Sequence, residues 1–148
     1  MSLKEKLAQE MKAAMKAKDR ERLSVVQLVR AAILQVEKDK QVSVDDAGVL
    51  EIIAREVRQR NEAIEEYRKF NAETAIEKLG REIAILREYL PQQLSMDEIR
   101  NLVKEAIEKT GAAGPRDMGK VMGVLMPQVR GRADGKVVNQ LVKEALSQ

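Results

Sequence analysis

The sequence predicts an all-α protein, on three observations. Apolar residues recur at three- and four-residue steps through most of the chain, and no stretch alternates with a two-residue period over the length of a strand. Helix-capping residues and glycine stops fall between those periodic segments. Hydrophobic residues make up 44% and charged residues 34%, with two Tyr, one Phe and no Trp, so the core is expected to be Leu, Ile, Val, Met and Ala. About seven helices are expected, a four-helix N-terminal part over residues 1–92 and a three-helix C-terminal part over 93–148.

Leu3, Leu7, Met11 and Met15 step by four along a first helix with lysines on its other side. Asp19 is placed to cap a second helix running to about Lys38, with Leu23, Val26, Ile33 and Val36 in its stripe. Ser43 followed by Asp46 resembles a capping arrangement for a long third helix that reaches about Phe70. Leu50, Ile53, Val57, Ile64 and Tyr67 mark its buried seam, and Arg55, Arg58, Arg60, Glu62, Glu65 and Glu66 its wet faces. Three- and four-residue spacing of those charges fits surface ion pairs better than a carboxylate metal site.

After a break at Asn71–Thr74, Ile76, Leu79, Ile83, Leu86 and Leu90 carry a fourth helix that Pro91 stops. Leu90-Pro-Gln-Gln-Leu94 reads as the linker, and Tyr89 as an anchor of the junction. Ser95-Met-Asp-Glu98 is a capping box for a fifth helix with Ile99, Leu102, Val103, Ala106 and Ile107 inside, closed by Gly111. Pro115 suits the first turn of a sixth helix, Met118, Val121, Met122 and Leu125 form its apolar face, and Pro127 should shorten or kink it. Gly119 and Gly123, four apart, suggest close packing against the fifth or seventh helix. The methionines 118, 122 and 126 read as core. The seventh helix, from Gly135 to about Leu146, buries Val138, Leu141 and Val142.

Composition narrows the chemistry. There is no Cys and no His, which removes disulfides, thiolate nucleophiles, cysteine zinc sites and the commonest general base. No catalytic residue, metal site or cofactor is assigned. No apolar run approaches membrane-spanning length and the start is charged, so a soluble cytoplasmic protein is expected. The net charge is +3 and unevenly spread: residues 1–110 carry 21 basic and 21 acidic side chains, residues 111–148 six and three. The excess centres on the stretch from Asp117 to Lys136, which also holds four of the eight glycines. There Gly131 ends a helix and Asp134 caps the next, with Arg130, Arg132 and Lys136 around the turn. A functional reading has Lys120, Arg130, Arg132 and Lys136 meeting phosphates, helped by amides at the start of the seventh helix, with Asn139 one turn in contacting sugar or base. A bland reading makes Gly131 and Asp134 a turn and cap, with basic side chains that keep the surface soluble. A second basic concentration, Lys4 to Arg22, reads as a solvated face.

Three motifs, Tyr89-Leu-Pro-Gln-Gln-Leu-Ser95, Asp117-Met-Gly-Lys-Val-Met-Gly123 and Gly131-Arg-Ala-Asp-Gly-Lys-Val-Val-Asn-Gln-Leu141, resemble the bacterial YqeY family, as do the segments Met-Lys-Ala-Ala-Met-Lys-Ala-Lys-Asp-Arg and Leu-Ser-Val-Val near the start. That family is similar to the tail of the B subunit of the tRNA-dependent amidotransferase. The resemblance implies a helical two-part fold and a non-catalytic module that binds tRNA or other structured RNA, or associates with an aminoacylation or amidation enzyme. It tips the corner toward RNA contact. Alternatives are a protein-interaction module, or the family label of carbon–nitrogen ligase with glutamine as amido-N-donor. Against the last, the chain lacks the amidase Ser-Ser-Lys signature, a glutaminase Cys and a phosphate-cradling loop, so catalysis by this chain alone is not expected.

Overall fold

The computed structural model describes residues 1–147. They form seven α-helices and no strand: α1 (Leu3–Ala17), α2 (Arg20–Lys40), α3 (Asp46–Arg68), α4 (Glu73–Arg87), α5 (Met96–Thr110), α6 (Met118–Val129) and α7 (Gly135–Leu146), with a 3-10 turn at Pro115–Asp117 ahead of α6. The fold is therefore all-α, and it resolves into two compact units, Met1–Leu90 and the chain from Pro91 onward.

In the first unit α1–α4 close over a core in which Leu7, Val26, Val29, Val49, Ile53 and Leu86 are fully buried. Burying each such side chain stabilises the fold by roughly 1.5–3 kcal/mol relative to exposure. Local signals set the helix ends. Ser2 and Glu5 form a capping box on α1, Asp19 caps α2 and Asp45 caps α3. The α3 cap is therefore Asp45, whose carboxylate accepts from the Gly48 amide at 2.8 Å, and not Ser43, whose hydroxyl lies 3.2 Å from the Lys4 ammonium. The first amide of α1 is satisfied from outside its own helix, Leu3 donating to Asp46 at 2.9 Å.

Arg60 departs from its expected place on a wet face. It is buried with Glu56 one turn earlier, its Nη1 3.0 Å from the Glu56 carboxylate and its Nε 3.0 Å from Glu82 of α4. The guanidinium also donates to the Glu56 carbonyl at 3.2 Å. Three charges are thus withdrawn from water between α3 and α4, and their fork geometry supplies the hydrogen bonds that such burial requires. Two expected core residues lie outside: Met15 and Tyr67 are exposed. In α1 a strict four-residue step drifts around a helix of 3.6 residues per turn, and the buried place falls to Ala14. Tyr89 belongs to the first unit's core, its hydroxyl bonded to Glu10 and the Lys6 ammonium 5.5 Å from its ring centre. It is fixed there by α1.

The second unit is a three-helix cluster, α5–α7, around Ile99, Val103, Val121, Leu125, Val138 and Val142. Ser95 and Glu98 form the expected capping box and Gly111 closes α5 at φ +67°. Met118, Met122 and Met126 are half-buried against this core, as expected. Pro127 does not stop α6, which continues to Val129. Its ring removes the bond that the Gly123 carbonyl would otherwise accept, and both residues lie on the exposed face of the helix. Among the described residues, the close packing expected at Gly119 and Gly123 is absent. A Cβ at either would meet nothing within 4 Å.

Candidate nucleic-acid interface

The corner between α6 and α7 is built by backbone. Gly131 is buried with φ +78°, a left-handed conformation that a Cβ opposes. Arg132 and Ala133 both donate to the Val129 carbonyl, at 2.8 and 3.0 Å. The chain before α5 then pins the turn: Leu94 donates to the Arg132 carbonyl at 2.9 Å, and the Gln93 side-chain amide bonds the Pro91 and Gly131 carbonyls at 2.8 and 3.1 Å. With its carbonyls held inward, the turn leaves Arg130 and Arg132 exposed on either side of Gly131, and Lys136 and Asn139 exposed on the first turns of α7. Arg132 enters no ion pair among the described residues.

Asp134 caps α7, its carboxylate accepting from the Lys136 amide at 3.0 Å. One of the amides assigned to phosphate is therefore already engaged by the protein's own carboxylate. The helix dipole still favours an anion at this end, and the three cations reinforce it. Lys120 stands apart from this group. It lies in the first turn of α6, about 15 Å along the helix from Arg130 at 1.5 Å per residue, with its ammonium 3.8 Å from Asp117. The turn thus carries Arg130 and Arg132, the first turns of α7 carry Lys136 and Asn139, and Lys120 lies at the opposite end of α6.

The basic stretch near the N-terminus divides into two groups. Lys4 pairs with Glu37, Lys6 sits over Tyr89, and Arg22 pairs with Glu88 at 2.7 Å and Asp19 at 3.6 Å. Glu37 also accepts from the Val44 amide at 2.8 Å. The Lys4 bond, and secondarily that amide, hold its carboxyl below the ordinary range. Arg81 does the same to Glu21. Lys12, Lys16, Lys18 and Arg20 are exposed and enter no ion pair among the described residues. The sequence showed this concentration of charge without separating the engaged cations from the others.

No group of three or more acidic side chains among the described residues is placed to hold a metal ion. Instead Glu62, Glu65 and Glu66 pair with Arg58, Arg68 and Lys69 on the surface of α3. No helix among the described residues is long and apolar enough to cross a membrane.

Comparison with known proteins adds three findings. The family model described as Yqey-like protein matches residues 4–146. The chain is 28% identical over 144 residues, 95% of its length and 79% of the relative's, to the altered inheritance of mitochondria protein 41 of Pyrenophora tritici-repentis. It is also similar to the E subunit of glutamyl-tRNA(Gln) amidotransferase: 46% identical over 50 residues in Methanospirillum hungatei and 31% over 90 residues in Thermococcus sibiricus. Those matches take in 34% and 52% of this chain but only 8% and 14% of the amidotransferase chains.

Proposed function

The chain belongs to the Yqey-like protein family, and from that premise we propose that it is a non-catalytic module that binds tRNA or another structured RNA in association with a tRNA-amidating enzyme. The likeness to a small part of an amidotransferase subunit supports the link to amidation. The amidating activity itself resides in a protein of which this chain matches at most about a seventh, and it is not carried over. Residues 1–92 and 93–148 are read as separate subdomains, with the RNA contact in the second and the protein at work in the cytoplasm.

The observation that carries the reading is the α6–α7 turn. The Gln93 side-chain amide and the Leu94 backbone amide hold its carbonyls inward, and Arg130, Arg132 and Lys136 lie exposed at a helix N-terminus, where an anion is favoured. With two Tyr and one Phe in the chain, stacking on bases is a minor contribution. Recognition then runs through the shape and backbone of folded RNA, with Asn139 able to reach a sugar or base. Lys120, at the other end of α6, adds a separate contact. Binding of total tRNA at two ionic strengths, by the wild type and by Arg130→Ala with Arg132→Ala, tests this. Wild-type binding should weaken steeply with salt, through release of counterions, and the double variant should bind less tightly at low salt. Equal binding by both proteins refutes the assignment.

One observation favours a second reading as a protein-docking module. Gly119 and Gly123 leave a strip of α6 backbone bare, where a partner's backbone can approach closely. Partners that survive RNase treatment in a pull-down, and are lost on Gly123→Leu, would support it.

A further inference from the structure

The second basic corner, between α1 and α2, meets the chemical requirements of an RNA contact independently of the α6–α7 turn. Residues 11–20 hold Lys12, Lys16, Lys18 and Arg20 against one acid, Asp19. Every acidic side chain of α1 and of the α1–α2 corner is engaged elsewhere. Glu5 closes the capping box of α1, Glu10 bonds the Tyr89 hydroxyl, Asp19 takes the Arg22 amide at 3.1 Å, and Glu21 pairs with Arg81 at 2.8 Å. None of the four exposed cations forms an ion pair among the described residues.

Two of the four occupy positions where local stability favours a different residue. Lys18 is the left-handed C-cap of α1 at φ +58°, a conformation that glycine adopts without the Cβ penalty other residues incur. Arg20 is the first residue of α2, where the helix dipole favours an acid and opposes a cation. Lys16 lies one turn from Lys12, with Cβ atoms about 5–6 Å apart, a step comparable with that between successive phosphates along a strand. Met15 is the one large apolar side chain exposed between them. That is too little for the desolvated apolar centre of a protein interface, whereas a phosphodiester backbone needs only spaced, solvated cations.

We propose that the α1–α2 corner is a second phosphate-binding surface, at which Lys12, Lys16, Lys18 and Arg20 contact the backbone of the same class of structured RNA. It rests on the RNA reading above and adds an anchor on the first unit.

The experiment uses the full chain and unfractionated tRNA as probe, with affinity measured from low to moderate salt. It compares the wild type, a corner variant (Lys12→Gln, Lys16→Gln, Lys18→Gly, Arg20→Gln) and the Arg130→Ala, Arg132→Ala variant. Each lost phosphate contact should reduce the salt slope by about one, so the corner variant should lose about three to four and bind at least about tenfold more weakly at low salt. Lys18→Gly alone should lower the slope by about one while its unfolding midpoint stays level or rises, which separates binding from folding. In the wild type, RNA should shield Lys12, Lys16 and Lys18 from an amine-labelling reagent. Wild-type protein that does not bind RNA overturns both this proposal and the one it rests on. Wild-type binding with an unchanged slope in the corner variant, and no shielding of those lysines, overturns this proposal alone. It is also overturned if an acidic polypeptide, and not RNA, distinguishes the corner variant from the wild type; that result assigns the corner to a protein partner.

Discussion

Removing the Arg60 guanidinium tests how the first unit holds its shape. Arg60→Ala leaves the carboxylates of Glu56 and Glu82, 10% and 16% exposed, facing each other without the cation between them. Breaking a buried pair on one side costs about 3–5 kcal/mol, and because Glu82 retains some contact with water the lower end, about 3 kcal/mol, is expected. For a unit of roughly 90 residues, that corresponds to a fall of about 12–20 °C in Tm. Urea unfolding followed by circular dichroism measures the loss directly. The triple variant Glu56→Leu, Arg60→Met, Glu82→Leu removes the charges together and should return to within about 1 kcal/mol of the wild type, or exceed it. A cost below about 1 kcal/mol for Arg60→Ala would mean that water reaches all three groups. The triad would then be a surface ion pair and not a buried link between α3 and α4.

Three further outcomes follow from the same geometry. Gly119→Ala and Gly123→Ala should each raise stability by up to about 1 kcal/mol, since a Cβ at either meets open space; a loss in urea unfolding would indicate a close backbone contact there. Gly131→Ala, forcing a Cβ into a buried left-handed turn, should cost about 1–3 kcal/mol and weaken tRNA binding together with the fold of the turn. Glu37 and Glu21 have carboxyls held below the usual 4.5 by Lys4 and Arg81. Their contribution is therefore present above pH 4.5 and is lost as pH falls through the depressed folded values. Acid unfolding of Glu37→Gln should accordingly be flatter than that of the wild type below pH 4.5, and identical profiles would contradict the linkage.

The helices were legible in the sequence because burial follows the 3.6-residue period, and Ser95, Glu98, Asp19 and Gly111 state their ends in local chemistry. Arg60 was not legible. Periodicity reads any charge as wet, and the carboxylate that helps to bury it, Glu82, lies 22 residues away on another helix. Met15 continues a four-residue step that the 3.6-residue helical period carries off the buried face, so that Ala14 takes the buried place. Gly119 and Gly123 show the converse: small residues at helical spacing fit a close contact and a bare face equally well. At the α6–α7 corner, Gly131 and Asp134 announced the turn and the cap, but the strap from Gln93 crosses 38 residues. That strap gives a physical reason for two of the recognisable motifs to occur together, since the Leu-Pro-Gln-Gln-Leu segment closes the Gly-Arg-Ala-Asp-Gly turn. Near the N-terminus composition revealed the charge, and only the folded partners show which cations are already committed.

The proposed function depends on the α6–α7 turn gripping RNA, and amide spectra of isotopically labelled protein titrated with tRNA at low salt test that most directly. The resonances of Arg130 to Asn139 should shift or broaden first, and recover as salt is added. Spectra in which those amides stay unchanged at saturating tRNA would contradict it.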